Sequence, residues 1–321
     1  MKIFVTGGSG FLGQRLITRL VMEGHTVTGL ARSSKAADSV RKAGAAPIVG
    51  DLSGISAWET ALHGHDVVIH AASPVEFWGT WADFDRDIVQ ATIGLYDATA
   101  KQGAKRFIYI SSESVLQDTK PLWDITEEER YPDEPNSYYG KAKKLAEIAL
   151  RNSHLLTELV ILRPTFIWGK GVAALDTMLT KMKNGQFMWI DEGKTVIECV
   201  HVDNVVEAIV LSLTKGTHKH IYNITDDAPK TARELITALV GTQGITPPEK
   251  SMPSAIAGFA AWLVESVWKM MGIRTPPPLS RFELSFVAMP RRYRIDAAKR
   301  DLGYRPVISF EHGLLEMTKT K

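Results

Sequence analysis

Residues 3–13 read IFVTGGSGFLG, an apolar strand that ends in glycines spaced three apart and then continues into a helical pattern. Glycine permits a tight turn and close approach of the backbone because it has no Cβ. The helix start offers free N–H groups and the positive end of the helix dipole, which suit a pyrophosphate. The stretch predicts a dinucleotide site at the first strand-to-helix turn of an α/β fold, with a glycine turn needed only for packing as the alternative. The residues expected to line this site are Gly7, Gly10, Phe11, Leu12 and Gly13.

The first part of the chain alternates short apolar runs with helical patterns. Nearly unbroken apolar runs are typical of parallel strands that are covered by helices on both faces. We therefore predict an α/β fold with a doubly wound parallel sheet of the Rossmann type, joined to a smaller, interleaved C-terminal substrate domain. Strands are predicted at 3–6, 27–30, 47–49, 67–70, 106–110 and 159–162.

The sequence pattern changes after Pro164. The later part has more irregular segments, two proline clusters and short amphipathic helical patterns such as 231–240. Residues 1–165 are predicted to form the dinucleotide-binding domain and residues 166–321 mainly the substrate-binding domain. A return segment near 200–222 is expected to pack on the first domain, since 201–209 has a helical pattern.

Composition excludes several classes of protein. The 321 residues include 38 basic and 36 acidic side chains, a net charge of +2, which is too balanced for a nucleic-acid binder. A single cysteine, Cys199, excludes an internal disulfide framework and a cysteine-based metal cluster, so no metal site is expected. The first residues lack the apolar stretch of a signal peptide. We expect a cytoplasmic protein with a small-molecule substrate and without nucleic-acid partners.

The most apolar later stretch, residues 255–272, reads AIAGFAAWLVESVWKMMG. Glu265 and Lys269 interrupt it, and it is shorter than the roughly 20 apolar residues that span a bilayer. We predict an amphipathic helix and no integral membrane segment. Three roles remain open for this helix: it could pack on the protein's own core, form a lid over an apolar substrate or contact a membrane surface.

Two positions bear on the choice of dinucleotide. The second predicted strand is followed by Arg32, where NAD-preferring folds usually carry an acidic residue for the ribose 2′-OH. A guanidinium can pair with a 2′-phosphate, so NADP(H) is favoured over NAD(H), although a surface arginine without a ligand is the alternative. Asp51 and Leu52 follow the third strand, where a carboxylate could accept a hydrogen bond from the adenine amino group.

A tyrosine and a lysine, Tyr139 and Lys143, stand four residues apart and so share one face of a predicted helix. A phenol is a poor acid–base group at neutral pH until a nearby cation favours its phenolate, which Lys143 could do. Such pairs are common and usually structural. Ser111 and Ser112 end the fifth predicted strand, where a hydroxyl could orient a substrate carbonyl beside the phenol.

Together these features resemble the extended short-chain dehydrogenase/reductase family, and within it the 3β-hydroxysteroid dehydrogenase-like branch. The resemblance runs through nearly the whole chain. Its motifs are TGGSGFLG at 6–13, HAA at 70–72, SS at 111–112, YGKAK at 139–143, LRPT at 162–165, HVDNV at 201–205 and the closing segment YRIDAAKRDLGYRP at 293–306.

The resemblance implies a role for each matched residue. Tyr139 would be the general acid/base, Lys143 would lower its pKa and hold the nicotinamide ribose, and Ser112 rather than Ser111 would hold the substrate oxygen. His201 is expected to be structural, and relatives usually form helix-mediated dimers, so a homodimer is expected. Ala71 and Ala72 would line the cofactor, and the segment after Pro164 would meet the carboxamide.

The sequence departs from the family in two places. Residues 87–92 read DIVQAT where many members carry an asparagine, which puts a supporting role of that asparagine in doubt. The loop 74–81 is unusually aromatic, which suggests an apolar substrate wall, although local packing would also explain it. The candidate substrate contacts are Phe77, Trp78, Glu113 and Phe166.

The sequence thus predicts an NADP(H)-dependent oxidoreductase that transfers hydride between nicotinamide and a ketone or secondary alcohol on a bulky apolar substrate. A nucleotide-sugar epimerase or dehydratase is one alternative, because its diphosphate substrate needs basic residues in the second domain and the sequence has several there. A non-enzymatic NADP(H)-sensing regulator is the other. The candidate basic residues in the second domain are Arg233, Arg274, Arg281, Arg291, Arg292 and Arg294.

Overall fold

A computed structural model of the chain describes residues 1–74 and 77–318. Its strands are β1 (Lys2–Thr6), β2 (Thr26–Ala31), β3 (Ala46–Val49), β4 (Val67–His70), β5 (Arg106–Ile110), β6 (Leu122–Ile125), β7 (Glu158–Pro164), β8 (Phe166–Trp168), β9 (Trp189–Ile190), β10 (Val196–Ile197), β11 (Cys199–His201), β12 (His220–Ile224), β13 (Lys230–Thr231), β14 (Ser251–Met252) and β15 (Arg291–Tyr293). Its α-helices are α1 (Phe11–Met22), α2 (Ser34–Lys42), α3 (Trp81–Phe84), α4 (Ala91–Lys101), α5 (Tyr138–Asn152), α6 (Ala173–Lys183), α7 (Val202–Leu211), α8 (Ala232–Gly241), α9 (Ser254–Met270), α10 (Arg281–Ala288) and α11 (Phe310–Thr318).

Seven of these described strands form one parallel sheet in the order β12-β7-β5-β4-β1-β2-β3. The doubly wound α/β prediction is confirmed, and all six predicted strands are present. The seventh strand, β12, was not predicted. It pairs with β7 in the register Tyr222 to Leu162, and its sequence HIYNI is too polar to read as a buried parallel strand.

Helices cover both faces of the sheet. On one face, α1 buries Leu16, Ile17 and Leu20 in a core shared with α2 and α7. On the other face, α4 and α5 pack with the short helices that follow β3. The strand order reverses between β1 and β4, so the carboxyl ends of these two strands open the crevice where such folds bind ligands.

Helix α7 lies in the predicted return segment, whose assignment to the first domain stays a prediction. Helix α7 packs against α1, and two ion pairs of 3.0 Å join them, Arg15 to Asp203 and Arg19 to Glu207. His201 lies at the N-terminus of α7, fully buried, with its ring 4.8 Å from that of Trp168, which fits a structural role. The division of the chain at residue 165 stays a prediction.

The later elements form smaller clusters beside the sheet. Helices α6, α8 and α11 share one core with β8 and β11, while α9 and α10 pack together over Ile190, Ala257 and Leu284. Within residues 1–74 and 77–318, every helix is too short or too polar to cross a membrane.

Candidate active site

The glycine turn after β1 forms a bare cradle. Gly10 N–H donates to the carbonyl of Gly7 at 3.0 Å, and Gly7 has φ of +76°, a left-handed conformation that favours glycine. A Cβ at Gly13 would lie 2.0 Å from the oxygen of Gly7, and a Cβ at Gly7 would lie 2.7 Å from the backbone of Ala71. Only a residue without a side chain fits at either position.

The start of α1 leaves its amides available. Gly10 occupies the N-cap position, and in the described part of the chain no side chain caps the first turn, which begins at Phe11 and Leu12. Ala72 N–H donates to Thr6 Oγ1 at 3.3 Å, which fixes the end of β4 beside the turn. Free amides at a helix N-terminus suit a pyrophosphate, so these residues fit a dinucleotide.

Arg32 is exposed just after β2 and next to Ser33, whose hydroxyl caps α2 by accepting from Ala36 N–H at 3.2 Å. Asp51 is exposed nearby, and its Oδ1 accepts from the amide and hydroxyl of Ser53 at 2.8 and 2.7 Å. These hydrogen bonds from Ser53 lower the pKa of Asp51, with a smaller contribution from the positive charge of Arg32. Arg32 and Asp51 are therefore in the same neighbourhood, while Leu52 packs against the core of the α4–α5 face.

Tyr139 is placed by the start of α5. Ser137 caps this helix by accepting from Gly140 N–H at 3.1 Å. A Cβ at Gly140 would lie 2.4 Å from the carbonyl oxygen of Ser114, so the first turn of α5 rests directly on the segment that follows β5. This close approach, which requires glycine, brings Tyr139 next to Ser112.

The phenol of Tyr139 has a raised pKa in this structure. Burial raises it, whereas hydrogen bonds with the hydroxyls of Ser73 and Ser112 lower it to a smaller extent. The sequence predicted that Lys143 would lower this pKa. Lys143 Nζ lies 5.9 Å from the centroid of the Tyr139 ring, and burial is the largest effect on the pKa of the phenol. The role assigned to Lys143 stays a prediction.

Lys143 lies almost entirely inside the protein. It is 2% exposed, its Nζ donates to the carbonyl of Ile110 at 2.8 Å, and it sits 4.8 Å from the centroid of the Tyr109 ring. Burial lowers its pKa to about 7, although the nearby carboxylate of Glu147 raises it. Its neighbours on α5, Lys141 and Lys144, are partly exposed.

A buried ion pair below Lys143 was not predicted. Glu147, one turn further along α5, accepts from Arg163 of β7 at 2.6 Å, and both side chains are at most 1% exposed. The hydroxyl of Tyr131 donates to the same carboxylate at 2.6 Å. The spacing of Glu147 four residues after Lys143 was the only signal for this pair in the sequence.

The region that lacks the family asparagine contains a different polar contact. Residues Asp85–Gln90 form a π-helical turn, and Thr92, just after it, places its hydroxyl 3.1 Å from Nε2 of His70. The other ring nitrogen of His70 lies 2.7 Å from the hydroxyl of Thr6. Burial and, secondarily, the charge of Lys143 lower the pKa of His70 to about 3, so the ring stays neutral.

The two serines that follow β5 differ in exposure and in contacts. Ser112 is partly exposed, accepts from Ser114 N–H at 3.2 Å and lies close enough to the phenol of Tyr139 to lower its pKa, whereas Ser111 is buried. This arrangement favours Ser112 over Ser111 as the residue that faces a substrate. Ser73, just after the Ala71–Ala72 pair, also reaches the phenol and was not predicted.

Aromatic side chains lie over Tyr139. The Phe77 ring makes an edge contact with Tyr139 at 5.0 Å and stacks on Phe282 of α10 at 4.7 Å between centroids. Trp78 Nε1–H donates to the carbonyl of Ile273 at 3.1 Å, which ties the aromatic loop to the segment before α10. We call Phe77 and Phe282 the aromatic cover; Phe282 gave no signal in the sequence.

The other candidate substrate residues contact α10 and β15. Phe166 contacts Phe286 of α10, with ring centroids 5.1 Å apart. Glu113 differs from the expectation, because its side chain is buried 3.5 Å from Arg291 and burial raises its pKa. Pro164 ends β7 and is buried at the carboxyl edge of the sheet.

Comparison with known proteins agrees with this geometry. The model of the NAD-dependent epimerase/dehydratase family matches residues 3–225. The chain belongs to that family. It is an NAD(P)-dependent enzyme of the extended short-chain dehydrogenase/reductase type.

Two curated relatives and one solved structure illustrate the family. The chain is 34% identical over 98% of its length to a 4-hydroxy-2-methyl-3-oxo-4-farnesyl-3,4-dihydroquinoline-1-oxide ketoreductase of Stigmatella aurantiaca, covering 95% of that protein. It is 28% identical over 98% of its length to a decarboxylating sterol-4-alpha-carboxylate 3-dehydrogenase of Dictyostelium discoideum, covering 99%. The dTDP-glucose 4,6-dehydratase of Streptomyces venezuelae has the same fold, with a TM-score of 0.78, 22% identity and coverage of 99% and 96% of the two chains.

Proposed function

We propose that this enzyme is an NADP(H)-dependent ketoreductase or hydroxy dehydrogenase that acts on a ketone or secondary alcohol of a bulky apolar molecule. The observation that carries the proposal is the phenol of Tyr139, which lies close enough to the Ser112 hydroxyl for that group to lower its pKa, has Lys143 on the same helix face and contacts Phe77 of the aromatic cover. The nicotinamide supplies or accepts the hydride when it is bound.

The side chains would act on the substrate oxygen. In reduction, Tyr139 donates its proton to the oxygen that becomes negative. Ser112 donates a hydrogen bond that strengthens as charge develops on that oxygen. Lys143 lies within reach to stabilise the phenolate that is left, since its ammonium sits on the same face of α5.

The aromatic cover supports an apolar substrate. Phe77 meets the ring of Tyr139 edge to face and Phe282 stacks on Phe77, and aromatic walls of this kind favour apolar groups. The names of these two relatives describe enzymes that act on a farnesyl-bearing ketone and on a sterol carboxylate. Both are large apolar molecules, which agrees with this interpretation.

The pairing of the second-domain arginines speaks against a nucleotide-sugar substrate. A diphosphate needs guanidinium groups that are free to bind it. Within residues 77–318, five of the six candidate arginines lie within 4.0 Å of a carboxylate. The pairs are Arg233–Glu249, Arg281–Glu265, Arg291–Glu113, Arg292–Asp124 and Arg294–Asp296.

The preference for NADP(H) rests on Arg32. Its exposed guanidinium follows β2, the strand whose end meets the adenosine ribose in doubly wound folds. The homodimer and the cytoplasmic location stay predictions.

The test is NADPH oxidation with a panel of apolar ketones and sugar nucleotides, using the protein and two matched variants. Tyr139→Phe is expected to lose turnover by about 100-fold or more while NADPH still binds. Tyr138→Phe, which alters the neighbouring exposed tyrosine, is expected to keep activity. Retained turnover in Tyr139→Phe, or activity with sugar nucleotides alone, would refute the proposal.

A further inference from the structure

Helix α9 buries its small apolar side chains and exposes its large ones, which is the reverse of the usual arrangement. The small residues Ala257 and Ala261 are buried against Ile190 and Leu284. The large residues face outward, with Phe259 exposed by 66%. An amphipathic helix normally buries its large apolar side chains, because they gain most from leaving water. The exposed set on and just after α9 is Ile256, Phe259, Trp262, Leu263, Met270 and Met271, which we call the outer face of α9.

Along the chain from residue 250 to residue 279 the exposed charged side chains are basic, although Asp191 lies at the start of α9, where its carboxylate accepts from Ser254 N–H at 2.9 Å. Between residues 250 and 279 the charged side chains are Lys250, Glu265, Lys269 and Arg274. Glu265 is buried and accepts from Arg281 at 2.8 Å, whereas the three basic residues are exposed. The surface is therefore apolar with cationic groups beside it, which complements an anionic lipid surface.

The outer face lies next to the aromatic cover. Lys269, in the last turn of α9, lies 6.0 Å from the ring of Trp78 and 5.8 Å from that of Tyr138. Helix α9 also packs against α10, whose Phe282 stacks on Phe77 of the cover. A molecule leaving a bilayer at this surface would meet the cover first.

We infer that the outer face of α9 docks this enzyme on an anionic lipid bilayer, with the cover of the active site at the bilayer surface. Docking itself follows from the exposed residues and charges. The further point, that apolar substrates enter from the bilayer, rests on the proposed function. A second copy of the chain is a poorer occupant, because a two-fold interface would bring the same cations close to one another.

The test measures binding of the full-length protein to sucrose-loaded vesicles by sedimentation, without substrate. Vesicles of phosphatidylcholine alone are compared with vesicles that also contain phosphatidylglycerol. Binding is expected to require phosphatidylglycerol and to weaken as salt is raised. Since no turnover is measured, failure of docking and failure of the reductase assignment give separate results.

Variants locate the contact on the outer face. Phe259→Ser combined with Trp262→Ser is expected to weaken vesicle binding by about tenfold or more, because two aromatic rings no longer enter the interface. Lys269→Gln combined with Arg274→Gln is expected to remove most of the preference for phosphatidylglycerol. Leu156→Ser is the matched control, since Leu156 is 97% exposed elsewhere on the surface.

Three results would overturn the inference. The first is no binding of the unaltered protein to either vesicle, and the second is equal binding by the Phe259/Trp262 variant. The third is a dimer in sedimentation velocity that this variant converts to a monomer, which would assign the face to a second copy. All variants change exposed side chains, and NADPH binding checks that each is folded.

Discussion

Replacement of Lys143 by methionine is expected to raise the stability of this enzyme near neutral pH while abolishing its activity. The side chain is buried, and burial lowers the pKa of its ammonium from 10.5 to about 7. Between these two pH values the unfolded chain holds a proton that the folded chain has released. The stability of the unaltered protein therefore gains from this group as pH rises through the window, and Lys143→Met lacks that gain.

The size of the effect follows from the pKa. One pKa unit corresponds to about 1.4 kcal/mol, so the fall from 10.5 to about 7 corresponds to roughly 5 kcal/mol as an upper limit. Methionine leaves the carbonyl of Ile110 without its hydrogen bond, which costs about 1–3 kcal/mol. Lys143→Met is thus expected to be more stable by about 2 kcal/mol at pH 7 and less stable above pH ~10.

The assay is urea unfolding of both proteins between pH 7 and pH ~10 in the absence of dinucleotide. Subtracting the two stability curves removes every other group that titrates. Lys141→Met is the control, because Lys141 lies two residues earlier on α5, is partly exposed and pairs with Glu134 at 3.0 Å. A difference between the unaltered protein and Lys143→Met that does not change with pH would refute the reasoning.

Three further predictions concern the ion pair, the dinucleotide preference and the glycine turn. Glu147→Gln should lower the free energy of unfolding by about 3–5 kcal/mol, because it leaves the guanidinium of Arg163 buried without its counter-charge; a loss below ~1 kcal/mol in urea unfolding would contradict this. Arg32→Ala should raise the KM for NADPH and leave that for NADH nearly unchanged, so equal losses for both would argue against a 2′-phosphate contact. Gly13→Ala places a Cβ 2.0 Å from a carbonyl oxygen of the turn and should abolish dinucleotide binding in calorimetry, whereas Gly54→Ala, with open space around it, should not; binding by Gly13→Ala would disprove the close packing.

Local sequence patterns were sufficient for six of the seven described strands of the sheet and for the first turn of the site. The glycine spacing at 7–13 places the turn, because the backbone conformation there permits no other residue. The four-residue spacing of Tyr139 and Lys143 puts both on one face of α5. Each of these features is decided within a few residues of chain, so periodicity and steric rules reach it.

Contacts between segments that are distant in the chain could not be predicted from local sequence patterns. Arg163 and Glu147 meet because β7 packs on α5. The sequence around either residue does not indicate that it has a buried partner. Phe282 reaches Phe77 across about two hundred residues of sequence. The pKa of Tyr139 could not be inferred either, since burial depends on everything that packs around the phenol.

The side of α9 that packs on the protein could not be predicted for a different reason. Its sequence has apolar residues on both sides, so the hydrophobic pattern cannot say which side the protein covers. The small side chains of Ala257 and Ala261 allow close packing on Ile190 and Leu284, and that choice leaves the large ones outside.

The aromatic cover and the glycine turn come from different parts of the chain, and this has a consequence for how such enzymes diversify. The turn is complete by Gly13, whereas Phe282 belongs to a helix near the other end of the chain. Substitutions in α10 can reshape the space beside Tyr139 without disturbing the cradle for the dinucleotide. New substrate ranges can therefore evolve by exchanging a short C-terminal segment, while the hydride chemistry is inherited intact.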